Sequence, residues 1–153
     1  MNRAICVAVI GSALLAANAI AADADEQAIR SVLTKATENW SAMNPDANDV
    51  FYTADARVVW FDIAPMQYVG WRAYKEGVKQ LNTGLDGMSL KVQDDVAVRR
   101  KGSVAWATYT FSAELRWKDR KVEKGEGRAT DILEKRGGKW IIVHEHVSFP
   151  APM

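Results

Sequence analysis

The sequence predicts an α+β domain in which helices pack on one face of a strongly curved antiparallel sheet. Three observations carry this. Apolar residues at helical spacing are confined to the first half of the chain, strand alternation fills the second half, and short turn sequences join the strands. A chain of 153 residues, 48% hydrophobic and 25% charged, suits one compact domain with an ordinary core.

The first stretch, "MNRAICVAVIGSALLAANAIAADADE", sets Arg3 before an apolar run and ends in Ala-x-Ala patterns at Ala17 to Ala19 and Ala19 to Ala21. This is the pattern of a secretory leader, so residues 1–21 are expected to be removed and 22–153 to form the mature domain, periplasmic or secreted. An uncleaved anchor is the alternative. The run contains Gly11, Ser12 and Asn18 and falls short of the roughly 20 apolar residues a spanning helix needs, so no membrane partner is expected after cleavage. The single Cys6 leaves with the leader, which excludes a disulfide, a cysteine nucleophile and a thiolate metal site. Cleavage also removes Arg3 and no acid, leaving basic residues equal in number to the 19 acidic ones. A neutral domain lacks the clustered cations that phosphate binding requires, so nucleic acid is not expected as a partner, and "RRKG" at Arg99 to Gly102 reads as a solvated hairpin tip.

From Asp25 to Met43, Ile29, Val32, Leu33, Ala36 and Trp40 recur at spacings of three and four after an acid-rich start, which predicts an amphipathic helix. "NPDAND" ends it, and a short second helix is expected around Ala47 to Tyr52. "ARVVWFD" reads as a strand, "IAP" as a turn and "MQYVG" as the return strand closing at Gly70. A helix follows with Trp71, Tyr74, Val78 and Leu81 on one face. The remainder reads as strands, "SLKVQDDVAVRR", "SVAWATYTFSAELRW", "VEKGEGRATDILEKR" and "KWIIVHEHVSF", linked by "KG", "KDRK" and "RGG" as antiparallel hairpins. The glycines of "KGEGR" suggest a bend or bulge.

Side chains alternate along a strand, so parity sorts each strand into two faces. Ala105, Ala107, Tyr109, Phe111, Ala113 and Leu115 form the more apolar set and should face the helices, with Trp106, Thr108 and Thr110 outside. Ala129, Asp131 and Leu133 form one set on the next strand. On the last strand Ile141, Val143, Glu145, Val147 and Phe149 are expected inside, and Trp140, Ile142, His144, His146 and Ser148 outside. If the Asp131 set faces inward, which parity alone does not fix, Asp131 joins Glu145 in an apolar hollow beside Tyr109. Bulges can switch such an assignment.

The order of the helix, "FYTADARVVWFD", "YVGWRAYKEGV", the hairpins and a terminal "GGKWIIVHEHVS" resembles the SnoaL-like branch of the nuclear transport factor 2-like superfamily over nearly the whole mature chain. Trp140, His144, His146 and Ser148 are also similar to the end of the association domain of calcium/calmodulin-dependent protein kinase II, a member of that superfamily. The resemblance implies a cone-shaped, cystatin-like α+β fold with helices on the concave face of the sheet and a deep pocket. It also implies dimers or larger rings built through the outer sheet face, here His144, His146, Thr108 and Thr110. Ketosteroid isomerase, an enzyme of this architecture, uses a carboxylate base, a tyrosine and a neutral aspartic acid. "TDILEK" is similar to its oxyanion strand and puts the aspartic acid at Asp131. Its base position falls at or near Trp60, with Asp62 displaced by two residues, and its helix tyrosine near Ala36, so steroid isomerisation by that route is not implied.

The expected site therefore combines Asp131, Glu145 and Tyr109 as acid, base and hydrogen-bonding groups. A wall of Tyr52, Trp60, Asp62, Tyr68, Phe111 and Val147 is expected around a small apolar ligand. Burial and a second carboxyl raise carboxyl pKa values, which suits acid catalysis near neutral pH. The structural alternative is that each acid makes a buried hydrogen bond or a salt bridge with a residue such as Arg72 or Arg128. His144 and His146 share a face, but a metal would need Glu114 or Glu134 as a third ligand, and no metal site is expected. No phosphate loop, nucleophile elbow or dinucleotide fingerprint is present, and no cofactor is expected. Two function classes stay open: a small-molecule-binding domain, with proton-transfer or hydrolytic chemistry, and a non-catalytic assembly module with an incidental pocket.

Overall fold

The computed structural model describes the backbone of residues 8–151 and side chains from residue 24. The expected leader thus lies outside the described side chains, and residues 1–7 outside the described backbone. Among the described residues no helix is long and apolar enough to cross a membrane.

Helix α1 spans Ala8–Ser41 and is followed by a 3-10 helix, Pro45–Val50, which begins at the proline and takes the place of the short helix expected from Ala47. The amphipathic stripe of α1 behaves as its spacing predicts: Ile29, Leu33, Ala36 and Trp40 are buried against the sheet. Asp25 fixes the sheet-facing part of α1, because its carboxylate accepts hydrogen bonds from Lys135 Nζ at 2.5 Å and Trp140 Nε1 at 3.1 Å and pairs with Arg100 at 3.0 Å.

The first hairpin is smaller than the sequence suggests. β1 (Val59–Trp60) and β2 (Tyr68–Val69) pair over two residues each, then α2 (Trp71–Asn82) buries Trp71, Tyr74 and Val78 and leaves Leu81 more exposed. The stretch read as one strand from Ser89 to Arg100 is two, β3 (Leu85–Val92) and β4 (Ala97–Lys101), both antiparallel to β5 (Val104–Trp117). The Asp94–Asp95 pair breaks it, and the Asp95 carboxylate accepts the Thr110 N–H at 3.0 Å.

β5, β6 (Val122–Arg136) and β7 (Lys139–Ser148) complete a five-stranded antiparallel sheet of order β3-β5-β6-β7, with β4 beside β3 along β5. The β5–β6 register runs unbroken past Gly125 and Gly127, so "KGEGR" holds no bulge. Its glycines leave room for rings: a Cβ on Gly127 would lie 2.3 Å from Phe111, and one on Gly125 3.2 Å from Phe149.

β7 corrects the parity assignment. The β6–β7 register shifts between Ile132 and Leu133, which pair with His144 and Ile142, leaving Val143 as an extra residue. Before this bulge the even residues face the helices, with Trp140 and Ile142 buried. After it the odd residues do, with Glu145 buried. Ile141 and Val143 are only half-buried, contrary to the simple alternation. The chain after the 3-10 helix covers the β7 edge: Thr53 N–H donates to Ile142 O, and Phe61 N–H to Glu145 O. The outer face presents ordered rows, Trp106–Ile132–His144, Thr108–Thr130–His146 and Thr110–Arg128–Ser148.

Candidate functional site

The concave face of the sheet, the inner stripe of α1 and the inner face of α2 enclose a cavity of about 140 Å³. Most of its wall is hydrocarbon or ring, from residues such as Leu33, Val78, Leu90 and Phe111. Its polar groups are few and converge: Asp62, Asp131, Glu145, and the hydroxyls of Tyr52, Tyr74 and Tyr109.

Asp131 and Glu145 stand directly opposite each other on β6 and β7 and are 0% and 5% exposed. Glu145 accepts two short hydrogen bonds, from Tyr74 OH to Oε1 and from Tyr52 OH to Oε2, both 2.6 Å, and Tyr52 in turn accepts from Trp40 Nε1 at 3.1 Å. Asp131 accepts one, from Tyr109 OH to Oδ2 at 3.0 Å, and no partner reaches its buried Oδ1. Neither acid has a cationic partner among the described residues. Arg128 lies exposed on the outer face with Ser148 as its partner and Arg72 is exposed, so of the structural alternative the buried hydrogen bonds are present and the salt bridges to these arginines are not.

Without a cation, two buried carboxylates side by side cannot both be charged. Burial, then the adjacent Glu145, pushes the Asp131 carboxyl well above its ordinary range. Glu145 is raised as well, chiefly by burial, but its two phenol donors pull it back down. Of the two, Asp131 therefore holds a proton the more readily, and Glu145, with two phenol donors, is the one better suited to carry the charge. Tyr52, Tyr74 and Tyr109 are pushed well above 10 by burial and the nearby carboxyls, which keeps them as donors.

Asp62, half-buried on the loop after β1, also lines the cavity, and burial raises its pKa while the Ile63 N–H offsets part of the shift. Tyr109, Tyr52, Phe111 and Val147 line the cavity with it. Two residues expected in the wall do not. Trp60 is 0% exposed and packs between the rings of Tyr52 and Tyr74, at centroid distances of 5.4 and 5.9 Å. Tyr68 stacks on the far side of Tyr74 at 5.2 Å, over Gly77 of α2, and hydrogen-bonds to Ala64 O. Conversely, Tyr74 and Trp40 belong to the polar network and read from the sequence only as core. The signal was there, since a buried tyrosine needs a partner for its hydroxyl and an inward acid supplies one.

His144 and His146 lie on the outer side of β7, against the two faces of the Phe61 contact, each ring 5.6 Å from the Phe61 ring. His144 Nδ1 is 2.8 Å from Val59 O. No group of three metal-ligating side chains occurs among the described residues.

The chain matches the SnoaL-like domain family over residues 29–152. Solved structures similar to it include a nuclear transport factor 2-like superfamily protein from Salmonella enterica, 18% identical, with TM-score 0.79 over 86% of this chain and 94% of that one. A protein provisionally named a scytalone dehydratase, from Novosphingobium aromaticivorans, is 15% identical with TM-score 0.74 over 84% and 85%. One provisionally named a calcium/calmodulin-dependent protein kinase II association domain, from Xanthomonas campestris, is 17% identical with TM-score 0.69 over 82% and 87%. No curated protein matches the sequence. At these identities the structures show the fold, and the family match shows the membership. The fold those structures share is a helix-backed, curved antiparallel sheet, and the chain itself belongs to the SnoaL-like domain family.

Proposed function

We propose that this domain binds a small, largely apolar molecule in the cavity and acts on it by proton transfer, with Asp131 as the acid and Asp62 as the base. The observation that carries this reading is Asp131, wholly buried with an unpartnered Oδ1 in a hydrocarbon-walled cavity, while a second carboxyl, Asp62, stands at the same cavity without a cation. Burial favours the neutral form of Asp131, and a neutral carboxylic acid can donate a proton or a hydrogen bond to a ligand oxygen while the less buried Asp62 accepts one. Elimination of water and migration of a double bond both need such a separated acid and base. Similarity to a structure provisionally named a dehydratase is consistent with the first.

The test is to identify by native mass spectrometry any molecule retained through purification, and to measure turnover of it by Asp131→Asn and Asp62→Asn. Loss of turnover in both variants with retained binding supports the reading. Unchanged melting across a broad metabolite panel sinks it.

Export and self-association belong to the same reading. The leader pattern at residues 1–21 supports a periplasmic or secreted mature chain, which N-terminal sequencing checks. The exposed Trp106 and Ile132, flanked by Thr108, Thr110 and His146, support a homodimer or larger homo-oligomer through the outer face, and Trp106→Glu should release monomers in light scattering. This face is also what favours the second reading, an assembly module with an incidental pocket. A wild-type chain that assembles normally but binds no member of the metabolite panel would favour that module.

A further inference from the structure

The cavity holds three carboxyl groups, Asp62, Asp131 and Glu145, and among the described residues no Lys, Arg or His acts on any of them. With the proton on Asp131, the buried pair carries one net negative charge, on Glu145. Two phenol hydroxyls hydrate that charge in place of water but do not neutralise it. An anion in a poorly solvated site without a counter-ion is costly, and Asp131, fully buried and lining the cavity, still has an oxygen with no partner. The first feature describes a missing group that is positively charged, and the second a group that hydrogen-bonds.

The walls narrow its nature. Rings of Trp40, Tyr52, Tyr74, Tyr109 and Phe111 line the same cavity, and ring faces attract cations as well as hydrocarbon. No group of three acids or imidazoles suited to a metal ion occurs among the described residues, so a bare divalent cation is poorly served. The cavity volume of about 140 Å³ is close to that of a cavity that accepts one benzene molecule. A carboxylate or phosphate ligand would be repelled, and a neutral one would leave the charge of the pair unmatched.

We infer that the cavity binds a small organic ammonium ion, an amine on a single ring or an equally compact hydrocarbon, with its N–H donors at Glu145 and its hydrocarbon against the rings. This rests on the reading of the cavity as a ligand site and names the chemical class of the ligand. The protonation of the pair need not change: one ammonium matches the one negative charge of the pair, and Asp131 keeps its proton.

Calorimetric titration of the full chain at neutral pH and fixed ionic strength with cyclohexylamine and with cyclohexanol tests it. The amine is expected to bind at least tenfold more tightly than the alcohol. Glu145→Gln leaves a neutral Asp131 and a neutral amide, so the preference should vanish, whereas Asp131→Asn keeps the Glu145 anion and should keep it. Should Glu145→Gln fail to fold by circular dichroism, the wild-type comparison and Asp131→Asn decide alone. Equal or tighter binding of the alcohol overturns the ammonium inference and leaves the ligand cavity standing. Binding of neither overturns both.

Discussion

Asp131 and Glu145 face each other across adjacent antiparallel strands, buried, with four aromatic side chains, Trp40, Tyr52, Tyr74 and Tyr109, tied into their hydrogen bonds. The consequences for stability can be measured without knowing the ligand.

The pH dependence of stability should change in Asp131→Asn. A carboxyl whose folded pKa is raised contributes stability that is complete below its unfolded value of 3.8 and is lost as pH rises through the folded value. The stability of the Asn variant minus that of the wild type should therefore grow from pH 4 towards alkaline pH. Surface acids with lowered values, such as Asp55 at about 2, slope the other way but cancel in the difference. Urea unfolding at several pH values checks it, and a flat difference would mean that Asp131 is not the proton carrier.

Tyr52→Phe and Tyr74→Phe should differ. Each removes a donor from Glu145, but loss of the Tyr52 hydroxyl also strands the buried Trp40 Nε1. Hydrogen bonds to charged groups contribute about 1.5–3 kcal/mol, and a stranded buried donor costs about as much again. The expected losses are about 3 kcal/mol for Tyr52→Phe and about 2 kcal/mol for Tyr74→Phe, read from urea midpoints at pH 7.

Gly127→Ala should shrink the cavity, and Gly125→Ala should not. The new methyl at Gly127 meets the Phe111 ring at 2.3 Å and must drive it inward, whereas at Gly125 it approaches Phe149 at only 3.2 Å, near the mouth. Overpacking of this kind costs about 1–3 kcal/mol. The Gly127 variant should also lose binding of ring-sized probes, measured by calorimetry.

Asp25→Asn should destabilise the domain in a pH-dependent way. The Lys135 hydrogen bond is the largest effect holding its carboxyl below the ordinary value of 3.8, with Trp140 and Arg100 acting the same way and burial opposing them. This stability is present above pH 3.8 and lost as pH falls through the lower folded value. A cost of about 1.5 kcal/mol at pH 7 should fade in acid, the reverse of Asp131→Asn.

The contrast between these two aspartates also shows what the sequence could reveal. Periodicity alone places Ile29, Leu33, Ala36 and Trp40 on one helical stripe, and strict alternation keeps Asp131 on one face with Ala129 and Leu133, because neither element is interrupted; which face is buried came from the packing. β7 is interrupted, and nothing in "WIIVHEH" marks where. The Val143 bulge left Glu145 correctly inside while reversing Trp140 and Ile142, an outcome that depends on pairing with β6 rather than on local pattern. Trp60 and Tyr68 show the other limit: an aromatic on a two-residue strand has the same signature whether it walls a cavity or fills a core. The hydroxyl chain to Glu145 joins residues 40, 52, 74 and 145, a proximity no local reading contains.

The odd residue at Val143 selects which chemistry the hollow can hold. Were β7 to continue in plain alternation from its buried Trp140, both imidazoles would hang beside Asp131 and Glu145 would sit in water, an arrangement suited to binding a transition metal or activating a nucleophile. A family built on this scaffold can thus trade one reactive repertoire for another by sliding a strand one notch, with every amino acid in it unchanged.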